Sequence, residues 1–396
     1  MSLQVGVGFS EDLDEPADAV GEALAMAREA YGPGQPKAAL VFASVDFDQP
    51  ALLEALQSAL ANLPMIGCTT DGEITREGLH ADSLSIMLVG GDGVYARTGI
   101  VTDVNQPDVE QRTRAMSESL QQALGSAGKL AFTFPDCSGT GSFHPFLQGL
   151  KQAFGKSFPL FGGAPADRGR IKGRTWQYCN NQLYTQSAPI LLLDGDVALS
   201  HGLRSGVQPF GQAARCTRSQ GNLLLEIEHK PAIEHHKAWL GEDFVNAATI
   251  AQFPYITQNR EVDGHEYFVT QPIFTWIPEN GAIYSIFPID EGAMVRLGRC
   301  TREHILTGAT EAAQQVKRQL NGRAPKALFV FSCSGRKQIL GMDTPRELAC
   351  IRAELGTEVP TIGFYCYGEL GPLGVQDESL KECQVHGYTL SMMALS

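Results

Sequence analysis

A short apolar run behind a lysine recurs three times along the chain: KAALVFAS at 37–44, KLAFTFPD at 129–136 and KALFVFSC at 326–333. Runs of this length, rich in Val and Phe, predict strands buried on both faces. Each is followed by a helical stretch, around Pro50 to Asn62, Pro145 to Gly155 and Thr344 to Leu355. A second short strand then follows: LPMIGCTTDGEI (63–74), FPLFGGAPADRG (158–169) and VPTIGFYCYGEL (359–370). Between the first and third of these, Pro64/Pro360, Ile66/Ile362, Gly67/Gly363, Gly72/Gly368 and Glu73/Glu369 coincide without a gap. Further on, HADSLSIMLV (80–89) matches HGYTLSMMAL (386–395), and SAPILLLDGDVALSHG (187–202) holds the same place in the middle copy. Self-similarity of this kind marks a repeated structural unit.

The unit is strand, helix, strand, turn, strand. A strand–helix–strand of this length implies parallel pairing through a right-handed crossover, with the last strand added antiparallel. The expected fold is α/β, with mixed β-sheets built from repeated strand–helix–strand units, helices packed on them, and two pseudo-related halves. VGVGFS starts the chain as a strand, and Pro16 to Tyr31 carries helical spacing in Ala17, Val20, Leu24 and Ala27. Residues 221–244 read as a strand, a turn at His229–Lys230 and a helix that ends at Gly241. Residues 265–300 alternate apolar and polar positions with Gly and Pro punctuation, as antiparallel strands do. A boundary near Gly211 to Arg218 divides a region 1–213 of two units from a region 214–396 of one unit plus the antiparallel insertion. No low-complexity linker marks it, so the two regions are expected to pack together.

Composition narrows the function. The chain has 396 residues, 43% hydrophobic and 19% charged, which describes a globular protein. Lys plus Arg total 31 against 44 for Asp plus Glu, a formal charge of -13. That sign disfavours nucleic acid and a polybasic membrane anchor. The N-terminus turns acidic early and no apolar run reaches bilayer length, so a cytoplasmic protein is expected. Nine cysteines without a C-x-x-C or zinc-ligand spacing point to a reduced compartment. There is no G-x-S-x-G, HExxH, phosphate loop or dinucleotide fingerprint, so a non-enzymatic role is expected.

Ligands in open α/β sheets bind beyond the carboxyl ends of strands. The turns 67–73 and 363–369 sit at such ends, and Glu73 and Glu369 are expected there as acceptors for an amine or guanidinium, or as caps of their turns. Cys333, Ser334 and Arg336 follow the first strand of the third copy, where Arg336 can hold a carboxylate by a two-pronged bond or make a surface ion pair. Tyr365 and Tyr367 add flat surface beside it. Cys137, in PDCSG, is read near a helix N-terminus, where a thiol can become reactive.

These motifs together resemble the FIST-domain family, with N-terminal and C-terminal FIST regions. The residues that carry the resemblance are Gly8 and Ser10, LVFAS, IGCTTDGEI, FGGAPAD, GNLLLEIEHKPAIEHHKAWLG, FSCSGR, IGFYCYGELGP and HGYTLSMMAL. The resemblance implies a ligand-sensing signalling role. Members of this length also resemble the NosP group, which implies haem, nitric oxide as the ligand, a separate histidine kinase as the partner, and a possible homodimer. Haem iron then needs an imidazole or thiolate. His386, on the last strand, and His144, after the turn Cys137 to Gly141, are the candidate metal ligands. His201, His229, His235, His236, His265 and His304 read as exposed or loop-borne, and His80 as structural. The alternative is a sensor of a small polar metabolite such as an amino acid, without haem, using Arg336, Tyr365 and Glu369.

Overall fold

A computed structural model describes residues 3–137, 143–170, 174–246, 249–262 and 264–396. The fold is mixed α/β. The repeat forms three units, each an outer strand, a helix, two parallel strands joined by a crossover, a short hairpin and a closing strand. The parallel pairs are Pro36–Ser44 with Met65–Thr70, Leu130–Thr133 with Leu160–Gly163, and Ala327–Cys333 with Thr361–Cys366. The crossover helices are Gln49–Leu60, His144–Phe154 and Pro345–Leu355, close to their expected limits. The first helix runs Pro16–Tyr31 as read from its spacing.

One glycine per pair permits these contacts. A Cβ on Gly67, Gly162 or Gly363 would collide with the carbonyl oxygen of its partner on the neighbouring strand, Val41, Thr133 or Val330. Only glycine leaves room for that approach.

The units trade hairpins. Strands Glu73–Thr75 and Leu79–His80 of the first unit join the sheet of the third. Strands Gln177–Cys179 and Gln182–Tyr184 of the second join the first. Strands Glu369–Pro372 and Cys383–His386 of the third join the second. The three six-stranded sheets thus enclose one core, in which Phe42, Phe132, Phe134, Phe161, Phe329, Phe331 and Phe364 meet. The helices cover the outer faces through three further cores, one per sheet.

The third unit is interrupted. Its outer strand, Leu199–Ser205, pairs with the closing strand Thr389–Leu395, and its first helix begins only at Arg302. Between them lies an antiparallel sheet with its own core around Cys216, Leu224, Tyr255, Ile283, Val295 and Leu297. The strand Val207–Gln220 runs straight through the boundary expected at Gly211 to Arg218. In sheet terms the breaks fall at Gly206 and Thr301, because the repeat resumes on either side of the insertion. No helix among the described residues is long and apolar enough to cross a membrane.

Candidate functional site

The three turns that follow the parallel pairs gather at one end of the shared core. The Asp71 N–H donates to the Tyr365 carbonyl at 3.0 Å, Ala166 to Thr69 at 2.9 Å, and Ala164 to Gly368 at 2.8 Å. The gathering expected from the sequence is therefore present, but the hollow is filled. Phe42 packs at 5.1 Å from Phe134 and 4.5 Å from Phe364, ring centre to ring centre. Outside that hollow, between the third sheet and the helix Pro345–Leu355, a cavity walled by Ile74, Glu347 and Tyr365 holds about 10 Å³, room for one water at most.

The residues expected to bind a ligand are built into this packing. Arg336 is fully buried, on the helix Ser334–Leu340. Its Nε and Nη2 donate to Glu347 Oε1 at 2.8 and 2.6 Å, and Nη2 also donates to the Ile305 carbonyl at 3.0 Å. The expected ligand guanidinium is thus committed, and the pair is buried rather than on the surface. Tyr365 donates to the other Glu347 oxygen at 2.7 Å, beside the Ser332 hydroxyl. Tyr367 donates to Asp167 and accepts from the Gly169 N–H. Cys333 and Ser334 are buried, and the Ser334 hydroxyl has no partner among the described residues.

Glu73 and Glu369 are equivalent, as the repeat implied, and the hairpin register adds a third member. Glu73 faces Phe364, Gln177 faces Cys68 and Glu369 faces Gly163, each one residue past the close-approach glycine of the receiving sheet. All three side chains are fully buried. Glu73 accepts from the hydroxyls of Thr70 and Ser83. Glu369 accepts from the Thr389 N–H and hydroxyl at 3.1 and 2.6 Å, and from the Cys366 thiol. Burial pushes both carboxyls up to about 7, against the pull of these donors. They fasten traded hairpins, and neither lines the small cavity beside Tyr365.

The histidines also part from expectation. His386 is fully buried; its Nε2–H donates to the Gly371 carbonyl at 3.0 Å, and burial pushes it down to about 4. His144 is exposed at the start of its helix, 3.2 Å from Gln148. His201 and His236 are buried, not exposed: Tyr255 donates to His236 Nδ1 at 2.9 Å, and His236 Nε2 faces the Phe253 carbonyl at 3.2 Å. Cys137 lies well before the helix that starts at His144, and burial with Asp136 pushes its thiol up to about 12. It lacks the activation expected of a reactive thiol. Residues 138–141 of its turn lie outside the described residues.

The large opening lies elsewhere, in the insertion. A cleft of about 690 Å³ is lined by Gln212, Thr257, Gln271, Asp290, Met294 and Arg296, over apolar Ile256, Ile289 and Val295. A β-bulge makes it. Phe210 pairs with Leu297 and Ala214 with Val295, so residues 211–213 oppose Arg296 alone. Gly211 accommodates the bend at φ +72° beneath the Trp239 ring. Arg296 is half-buried, and its Nε donates to the Gly211 carbonyl at 2.8 Å. Arg296 makes no ion pair and Asp290 no side-chain bond among the described residues. One cleft therefore offers a guanidinium, a carboxylate and a buried amide above an apolar floor. The sequence pattern conceals it, because Gly211 reads as a boundary; a glycine inside a strand pattern is the available signal of a bulge.

The family model of the FIST N domain matches residues 37–230, and that of the FIST C domain matches residues 232–372. No curated protein sequence matches the chain. Among solved structures, cyanuric acid hydrolase from A. caulinodans is 10% identical, with 99% of each chain covered and a TM-score of 0.39. A chorismatase is 10% identical, with 100% of this chain and 99% of the other covered and a TM-score of 0.36.

Proposed function

Since the chain belongs to the FIST family, whose domains are small-ligand-sensing signalling domains, we propose that it senses a small zwitterionic metabolite of the amino-acid class. The observation that carries this reading is the coexistence of Arg296 and Asp290 in one cleft, neither with an ionic partner among the described residues. A guanidinium offers two parallel donors to a carboxylate, and Asp290 offers acceptors to an ammonium. The apolar floor and the cleft volume fall within the usual range for small-ligand sites. The role is binding rather than catalysis, and the output passes to a separate protein, for which a histidine kinase is the expected class.

Haem does not fit the residues of this cleft. The lining of this cleft holds no imidazole or thiolate, and His386 is fully buried with its Nε2 bonded to the Gly371 carbonyl. No step of the proposed sensing runs through haem.

Thermal shift and titration calorimetry with the twenty amino acids test the reading. At least one is expected to stabilise the protein by mass action. Arg296→Ala should weaken that ligand at least tenfold with the melting temperature of the free protein little changed. Silence across the whole panel, together with a Soret band that shifts when nitric oxide is added to haem-loaded protein, would replace this reading with the haem one.

A further inference from the structure

We propose that the cleft holds a peptide of about three residues as an added β-strand along a free edge at Met294, with its carboxylate on Arg296 and its amino group on Asp290. The inference rests on the reading of the cleft as an amino-acid site and deepens it: the zwitterion is a short peptide rather than a single amino acid.

The cleft is the place where two strands part. Tyr255–Val262 pairs with Met294–Cys300 only at Tyr255–Leu297 and Ile256–Arg296. Thr257 and Val295 come next; they are not paired with each other, and both line the cleft. The lining also draws on both faces of the sheet. Val295 and Ile289 belong to the core that holds Tyr255 and Leu297, whereas Ile256 belongs to the cluster of Val207 and Tyr388. A hollow walled from both faces lies between the strands, in the layer where a further strand would run.

The free edge follows from the pairing on its other side. The Cys216 N–H donates to the Ala293 carbonyl at 2.8 Å, so Ala293 turns its main chain toward the strand Val207–Gln220. Met294 stands opposite Arg215 in that ladder, and strand alternation turns its N–H and C=O the other way, into the parting. Among the described residues no strand pairs with Met294 on that side, and the residue is 48% exposed. An extended peptide completes such an edge with main-chain bonds. The charges set its length and direction. Asp290 stands just before the turn that the Ala293 N–H closes on its carbonyl, and Arg296 lies three residues past Ala293, roughly 10 Å on at about 3.4 Å per residue. A single amino acid carries both charges on one carbon and does not span that segment. A tripeptide separates its terminal α-carbons by roughly 7 Å, and its charged groups reach further. Laid from Asp290 to Arg296 it runs parallel to Met294–Cys300. The Met294 N–H then donates to its first peptide carbonyl, and the Met294 C=O accepts from its last peptide N–H. The guanidinium of Arg296 receives the carboxylate by two parallel donors.

The test is calorimetric titration of the full chain with L-alanine, dialanine and trialanine. Main-chain recognition is blind to side chains, so trialanine is expected to bind at least tenfold tighter than alanine, with dialanine between them. N-methylation of the second peptide bond of trialanine removes the donor to the Met294 carbonyl and leaves both charges in place. It should weaken binding at least about fivefold, the loss of one hydrogen bond. Amidation of the C-terminus removes the charge that Arg296 holds and should cost at least about tenfold. Equal affinity for alanine and trialanine would overturn the peptide and leave the amino-acid reading standing. So would trialanine binding that N-methylation does not weaken. Silence of the whole series would overturn the peptide as well, and the twenty-member amino-acid panel then judges the reading of the cleft by itself.

Discussion

Arg336→Ala is expected to destabilise the protein by about 3–5 kcal/mol, the usual cost of removing one partner of a buried ion pair. Arg336 is fully buried and Glu347 nearly so, and the guanidinium holds both a carboxylate oxygen and the Ile305 carbonyl. Truncation leaves the Glu347 charge without its cation, beside the Tyr365 and Ser332 hydroxyls only. Glu347→Ala should cost a similar amount for the mirror reason. Arg336→Met with Glu347→Leu should cost much less than the two single changes added together, because no charge remains to be stranded. Urea unfolding followed by circular dichroism reads all three. If Arg336→Ala stays within about 1 kcal/mol of the wild type, the side chain is not a structural clamp, and its role as a ligand group returns.

The second large effect is one of pH. Burial raises Glu73 and Glu369 to about 7 in the folded protein. In the unfolded chain they ionise near the ordinary glutamate value of about 4.3. Between these two values the folded state keeps protons that the unfolded state has lost. Stability from these groups is therefore present at the acid end and declines as pH rises through about 7, then levels off. At about 1.4 kcal/mol per unit, each glutamate is worth roughly 3 kcal/mol between pH 4.5 and 8. Glu73→Gln and Glu369→Gln remove the titrating group and keep an acceptor for Ser83 or Thr389. Gln177, the third member of the set, already carries that amide at the same register position. Each variant should match the wild type near pH 4.5 and exceed it at pH 8 by roughly 1–3 kcal/mol. Urea midpoints across pH 4.5–8.5 measure this, and the difference from wild type cancels the background from the net charge of -13. A variant whose midpoint follows the wild-type curve throughout would show that the glutamate is ionised in the folded state.

The two effects mark how far the repeat is legible in the sequence. The strands, the crossover helices and the equivalence of Glu73 with Glu369 were legible, because each depends on local spacing or on identical residues at identical offsets. The match of Gln177 to those glutamates was not, because the second unit carries a longer loop between Gly163 and Gln177 that hides the alignment. Only the pairing of Gln177 with Cys68 restores it. Arg336 illustrates a different limit. A Gly–Arg turn after a strand reads equally as a ligand clamp or as a clamp on the protein itself, and Glu347 decides between them from eleven residues away.

By itself the amino-acid sequence determined the repeating unit, its parallel pairs, the antiparallel character of the insertion and the family, since each is written in apolar periodicity, glycine position or motif order. The tertiary structure alone decided which sheet each hairpin enters, that the axial hollow is filled with phenylalanine, and that the open cleft lies at a bulge opposite Arg296. The physical reason is common to all three. A strand two to four residues long carries too little side-chain pattern to name its partner, and whether a space is empty depends on residues that approach it from distant parts of the chain.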